Sequence, residues 1–151
     1  LRDGPIHAEA RINDRGVWII EVAARSIGGL CSRSLRFSDN RTLEELVLSH
    51  ALGLPIPSHD REDAASGVMM IPIPAPGILE KVDGVDGARA VAGIEDVTIS
   101  IPIGETLVPV PDGDRYLGFI FARDSDPATV EAALREAHGH LTFTIRDDQA
   151  S

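Results

Sequence analysis

Two short segments of alternating polarity flank one turn near the start of the chain, and their pattern leaves few ways to pair them. Residues 5–12 read PIHAEARI, with Ile6, Ala8, Ala10 and Ile12 on one face and His7, Glu9 and Arg11 on the other. Residues 17–24, VWIIEVAA, are rich in β-branched and aromatic side chains. Between them Asn13-Asp14-Arg15-Gly16 is turn chemistry, so the pair predicts a β-hairpin. A three-residue loop over residues 14–16, with Gly16 at positive φ, pairs Asn13 with Val17, Arg11 with Ile19 and Glu9 with Glu21. Its apolar partners are Ile12–Trp18, Ala10–Ile20 and Ala8–Val22. A one-residue slip would turn Glu21 to the apolar side. The pattern therefore sets Glu9 and Glu21 on one face, with Arg25 two steps further by the same parity.

Beyond the hairpin, Ser26-Ile27-Gly28-Gly29-Leu30 reads as a glycine-containing loop. Residues 42–52 read as a helix, with Thr42 and Glu45 as a capping box and Leu43, Leu46, Val47 and Ala51 as its apolar stripe. Gly53 and Pro55 end it. Residues 55–65 are polar and proline-containing, which predicts a linker. The second half reads as strands over 67–74, 97–103, 115–122 and 141–145, with a rigid bend at Ala75-Pro76-Gly77 and a turn at Pro111-Asp112-Gly113. Residues 86–91 read as a short helix. A longer one over 127–138 is capped by Asp126, opened by Pro127 and ended by Gly139, with Val130, Ala133, Leu134 and Ala137 as its stripe. This order predicts an α+β fold, a mostly antiparallel sheet with helices packed on one face. The polar tail, residues 146–151, is expected to fray.

Composition narrows the function classes. The formal net charge is −10, from 24 acidic and 14 basic residues, which repels phosphate backbones and anionic membranes. Neither nucleic acid nor membrane is therefore expected as a partner. One cysteine, Cys31, excludes an internal disulfide and a cysteine-based zinc site, and reads as a small buried hydrophobe. No apolar run approaches the roughly 20 residues that span a bilayer. The start, LRDGPIHAEA, lacks a leader pattern, so a soluble cytoplasmic protein is expected. The chain enters a strand almost at once from Leu1, which reads as a piece of something longer.

The acidic pair carries the sharpest chemistry. Opposed strand residues have Cβ atoms about 5 Å apart. Two carboxylates there repel by roughly 1 kcal/mol in water and more in a drier cleft. A shared proton, a bridging arginine or a divalent cation would offset this. Hard oxygen donors favour Mg²⁺ or Mn²⁺, and Mg²⁺ commonly takes one or two carboxylates plus substrate phosphates. The plainer reading is a solvated sheet face with Arg11 and Arg25 as neighbours.

The string HAEARI, the turn, and then WIIEVAARSIGGLCSRSLRF resemble the end of an ATP-grasp ligase catalytic domain. The likeness is to the L-amino acid ligase branch, in which an EVAAR segment precedes a Gly-Gly loop. GVMMIPIPAPGIL, RYLGFIFAR and VEAALREAHGHLTF are similar to the C-terminal lobe of that branch. The resemblance implies that residues 1–62 end a catalytic domain and residues 63–151 form that lobe. It implies that Glu9 and Glu21 hold Mg²⁺ (or Mn²⁺) bridging the phosphates of ATP, the co-substrate, and that Arg25 contacts the transferred phosphate. Ala23 stands where many ATP-grasp members carry a metal-touching asparagine. The phosphate-holding lysines of such enzymes lie upstream of this segment, and the one lysine here, Lys81, is far from the motif.

The implied activity is a carboxylate–amine (L-amino acid) ligase that forms an amide through an acyl phosphate, with this chain its C-terminal part and inactive alone. Expected partners are ATP, an amino acid or other small carboxylate, an amine substrate, and the N-terminal remainder of the same polypeptide. An apolar surface near residues 5–35, where that remainder would pack, is expected to be exposed and to favour a homo-oligomer of the isolated chain. Ser26, Gly28 and Gly29 are candidates for presenting backbone N–H groups to a substrate carboxylate, and His7 for orienting substrate. The alternative is a non-catalytic binding or regulatory lobe acting only with a partner chain. Among lesser features, His138 and His140 suit a helix C-terminus. Met69, Met70, Phe119 and Phe121 read as core strand residues, and Asp83, Asp86, Asp112 and Asp114 as turn residues.

Overall fold

The computed structural model describes residues 2–147, so most of the tail expected to fray, residues 148–151, lies outside the described residues. The chain divides into two compact units, Leu1–Glu62 and Asp63–Ser151. The fold is mixed α+β, and every strand pairing is antiparallel, as the sequence predicts. The single sheet expected is instead a two-stranded ribbon in the first unit and two three-stranded sheets in the second.

In the first unit β1 (His7–Asn13) and β2 (Gly16–Ala23) form the ribbon. Its loop holds two residues and not three, because Asn13 lies opposite Gly16. The Asn13 Oδ1 accepts the Arg15 N–H at 2.9 Å, and Gly16 adopts φ 131°, a region that favours glycine. Arg11 consequently faces Trp18 and Ala10 faces Ile19, each one residue away from the expected partner. A β-bulge at Ile20 absorbs the difference, so Glu9↔Glu21 and Ala8↔Val22 stand as expected. A 3₁₀ turn follows at Cys31–Ser34, and Cys31 is half-buried, less than expected.

Helix α1 (Leu43–Ala51) is capped as its sequence requires. Thr42 Oγ1 accepts the Glu45 N–H at 3.2 Å, and Glu45 Oε2 accepts the Thr42 N–H at 2.8 Å. Of its stripe only Leu46 is buried. The segment read as a linker is tied back: Phe37 pairs with Arg61, and the Ser38 N–H donates to the Asp60 carbonyl at 2.9 Å.

The second unit holds β3 (Ala65–Ile71), β4 (Gly77–Asp83), a short α2 (Val85–Arg89), β5 (Ile94–Ile99), β6 (Thr106–Leu107), β7 (Gly118–Asp124), α3 (Pro127–His140) and β8 (Thr142–Arg146). The orders β3-β7-β5 and β6-β4-β8 define its two sheets. Strands β4 and β6 were not among the predicted elements. The core gathers Ile71, Leu79, Val97, Leu107 and Ile120 from both sheets and Leu117 just before β7, with Val130, Leu134 and Ala137 from α3.

The predicted α3 stripe, Val130, Ala133, Leu134 and Ala137, is buried. Gly67 on β3 lets the helix approach, since a Cβ there would sit 2.8 Å from Val130 Cγ1 and 2.9 Å from Leu134 Cδ1. Asp126 caps the helix by accepting the Thr129 N–H at 2.8 Å. Helix α3 continues through Gly139 to His140, past the expected stop. Gly139 is exposed, where the ~1 kcal/mol propensity cost of glycine is tolerated. Phe119 and Phe121 are buried in β7 as expected, but Met70 is 42% exposed.

Candidate functional site: a carboxylate pair on a two-stranded ribbon

Alternation along β1 sets His7, Glu9, Arg11 and Asn13 on one face of the ribbon. Across the ladder Ala23 lies opposite His7, Glu21 opposite Glu9 and Trp18 opposite Arg11. Glu9 and Glu21 thus occupy one rung, where Cβ atoms lie about 5 Å apart. Both carboxylates are exposed, and neither has an ion-pair or side-chain hydrogen-bond partner among the described residues. No third His, Cys, Asp or Glu gathers with them into a cluster among the described residues. Two hard oxygen donors on one rung fit Mg²⁺ whose other positions go to phosphate and water, and do not fit a protein-only cage of the calcium or zinc type.

The remaining predicted residues lie past the strand. Arg25 is exposed, and its Nη1 donates to the Ser26 carbonyl oxygen at 3.1 Å. A Cβ on Gly28 would lie 3.9 Å from the same Nη1, so the guanidinium folds over its own loop. Gly29 adopts φ 63° and turns the chain toward the 3₁₀ segment. Glu9, Glu21 and His7 therefore share a face, while Arg25, Ser26, Gly28 and Gly29 form a separate loop cluster.

Two residues escaped the sequence reading. The expected register placed Trp18 on the apolar face. The bulge brings it to the carboxylate face, where its Nε1 donates to Asn13 Oδ1 at 3.3 Å. Glu44 joins Ser26, Leu43, Val47 and Leu48 around a pocket of about 230 Å³. The Ser32 side chain, then Glu44's own backbone N–H, hold the Glu44 carboxyl below the ordinary glutamate range. Its only signal in sequence is a place in the first turn of a helix. A larger pocket of about 400 Å³, lined by Phe37, Leu46, Val47 and Ile56 among others, includes none of the carboxylate-face residues.

The opposite face of the ribbon is apolar and open. Ile12, Val17, Ile19 and Val22 are 58–75% exposed, as expected for this segment. No helix among the described residues is long and apolar enough to cross a membrane.

Known proteins match this chain in family and in structure. The family described as L-amino acid ligase C-terminal domain 2 matches residues 69–146. The L-amino acid ligase from Bacillus licheniformis is similar with a TM-score of 0.78 and 25% identity, over 97% of this chain and 37% of that one. Phosphoribosylglycinamide synthetase from Anaerococcus prevotii aligns with a TM-score of 0.67 and 13% identity, over 93% of this chain and 37% of its own. N5-carboxyaminoimidazole ribonucleotide synthetase from Thermotoga maritima gives 0.67 and 14%, with the same coverages of 93% and 37%. At these identities the last two share the fold. The chain spans a little over a third of the length of each. No curated protein matches it by sequence. The resemblance to the L-amino acid ligase branch of ATP-grasp ligases is met in both family and structure.

Proposed function

The chain belongs to the L-amino acid ligase family, whose C-terminal domain its residues 69–146 match, and from that premise we propose that it supplies the metal end of an ATP-dependent carboxylate–amine ligase site. The observation that carries this reading is the placement of Glu9 directly across from Glu21 on one exposed rung.

In the proposed reaction a substrate carboxylate oxygen attacks the γ-phosphorus of ATP. The P–O bond to ADP breaks, and an acyl phosphate forms. The amine nitrogen of the second substrate then attacks the acyl carbon. The C–O bond to phosphate breaks, phosphate leaves, and the amine proton passes to solvent. The products are an amide, ADP and phosphate.

Bringing a carboxylate to a triphosphate sets two anions against each other, so the barrier falls mainly through positioning and charge neutralisation. Mg²⁺ held by Glu9 and Glu21 would supply positive charge beside the phosphates. Arg25 ends a flexible side chain one loop away. It exchanges its single carbonyl contact for a two-pronged grip on phosphate oxygens. Ser26, Gly28 and Gly29 present backbone N–H groups to the substrate carboxylate, and His7 borders the pair on the same face.

In this reading the apolar ribbon face packs against the rest of a ligase as long as the Bacillus licheniformis protein. Cytoplasmic ATP and small amino acids are its substrates, and this chain alone is inactive. Left uncovered, that face drives self-association.

Glu21→Gln in the full-length polypeptide should lower ADP release with amino acid pairs about 10²-fold or more while leaving the circular dichroism spectrum unchanged. Unchanged turnover would reject the assignment and favour a non-catalytic lobe.

A further inference from the structure

An aromatic ring stands on the same face as the carboxylates, and regular alternation would not have put it there. Trp18 and Glu21 are three residues apart, an odd spacing that in an unbroken strand sends side chains to opposite faces. The bulge at Ile20 cancels the offset. Bulges beside active sites re-aim side chains in this way.

The indole is held and left open at once. Its Nε1 donates to Asn13 Oδ1 at 3.3 Å, and the same oxygen accepts the Arg15 N–H at 2.9 Å, so one turn residue anchors both ring and loop. The Arg15 guanidinium lies 5.8 Å from the ring centroid. Trp18 is nevertheless 53% exposed as a residue. A pinned edge with an open surface makes a preorganised stacking platform, because little rotamer freedom is lost on contact.

Position identifies the occupant. The Trp18–Arg11 rung lies two residues from the Glu9–Glu21 rung, about 7 Å along the strand. With the side chains of both rungs reaching outward, that span accommodates a nucleotide whose phosphate tail runs to the carboxylates and whose base lies toward the turn.

Resting on the reading of Glu9 and Glu21 as a metal-phosphate site, we infer that Trp18 stacks on the base of the nucleotide whose phosphates that site holds. Triphosphate without a base gains nothing from the ring.

The test compares MgATP with magnesium tripolyphosphate by calorimetry, using the full-length polypeptide and its Trp18→Leu and Trp18→Phe variants. Base stacking of ordinary strength predicts that Trp18→Leu weakens MgATP binding about tenfold or more, leaves tripolyphosphate binding unchanged, and is largely rescued in Trp18→Phe. Unchanged MgATP affinity in Trp18→Leu overturns the stacking role while leaving the metal site standing. Equal losses for both ligands mark Trp18 as a structural residue and also overturn it. No tripolyphosphate binding by the wild-type protein removes the metal-phosphate reading itself, and the inference with it.

Discussion

Among the described residues three strands carry a bulge, and the two units treat them differently. In the Asp63–Ser151 unit the residue left over at each bulge is a glutamate that pairs with an arginine of the neighbouring strand. Glu80 meets Arg146 at 2.8 Å, and Glu95 meets Arg123 at 3.1 Å. In the Leu1–Glu62 unit the leftover residue is Ile20, 63% exposed. Burial follows the same division. Leu46 is the one buried hydrophobic side chain of the first unit among the described residues, whereas the second has a core drawn from both sheets and α3. A lone two-stranded ribbon is marginal in water. The second unit thus buries a core of its own, and the first leaves its apolar ribbon face and its acidic pair exposed.

The contrast breaks most readily at paired isoleucines. Ile120→Ala, in the closed core, should cost about 2–5 kcal/mol in urea unfolding. Ile19→Ala, on the open ribbon, should cost less than about 0.5 kcal/mol. The reverse order would show that the ribbon is a packed element. A smaller effect sharpens the picture of the first unit's helix: Thr42→Ala removes one arm of the α1 capping box and should cost about 1 kcal/mol, read as a shift in denaturation midpoint.

The smallest effect is one of pH and belongs to α3. The Thr129 backbone N–H, then its hydroxyl, bind the Asp126 carboxylate and hold its pKa below the unfolded value. A depressed native pKa contributes stability that is fully present above the unfolded aspartate range and is lost as pH falls through the native value. The Tm gap between wild type and Asp126→Ala should therefore be widest near neutrality and close in acid. A gap that stays constant with pH would show that the charge of Asp126 plays no part in the cap.

Much of the fold was legible where a local rule acts alone. Thr42 and Glu45 declared a capping box, Asp126 and Pro127 declared a helix start, and the stripe of α3 followed from period alone. Legibility failed at the bulges. In β4 the alternation breaks at Glu80, so Gly77–Asp83 did not read as a strand. At two residues, β6 is too short to carry a period. The carboxylate pair survived because it lies on the far side of the Ile20 bulge from the turn, where the assumed loop length and the missing bulge cancel. Trp18 lies between bulge and turn, where the same two errors do not cancel, and it was assigned to the wrong face. The Arg25 guanidinium rests on its own loop, a side-chain placement that no spacing rule reaches.

The supernumerary residue at Ile20 also has a consequence for how this stretch can vary among relatives. Because Ile20 has no rung partner, a chain one residue shorter at that point would keep every cross-strand neighbour from Asn13 back to His7. Two such sequences would differ by a gap in the middle of a motif and by one exposed isoleucine, and yet keep the same cross-strand pairs. Ligand preferences compared across them by counting positions from the second glutamate would assign Trp18's place to a residue pointing the other way.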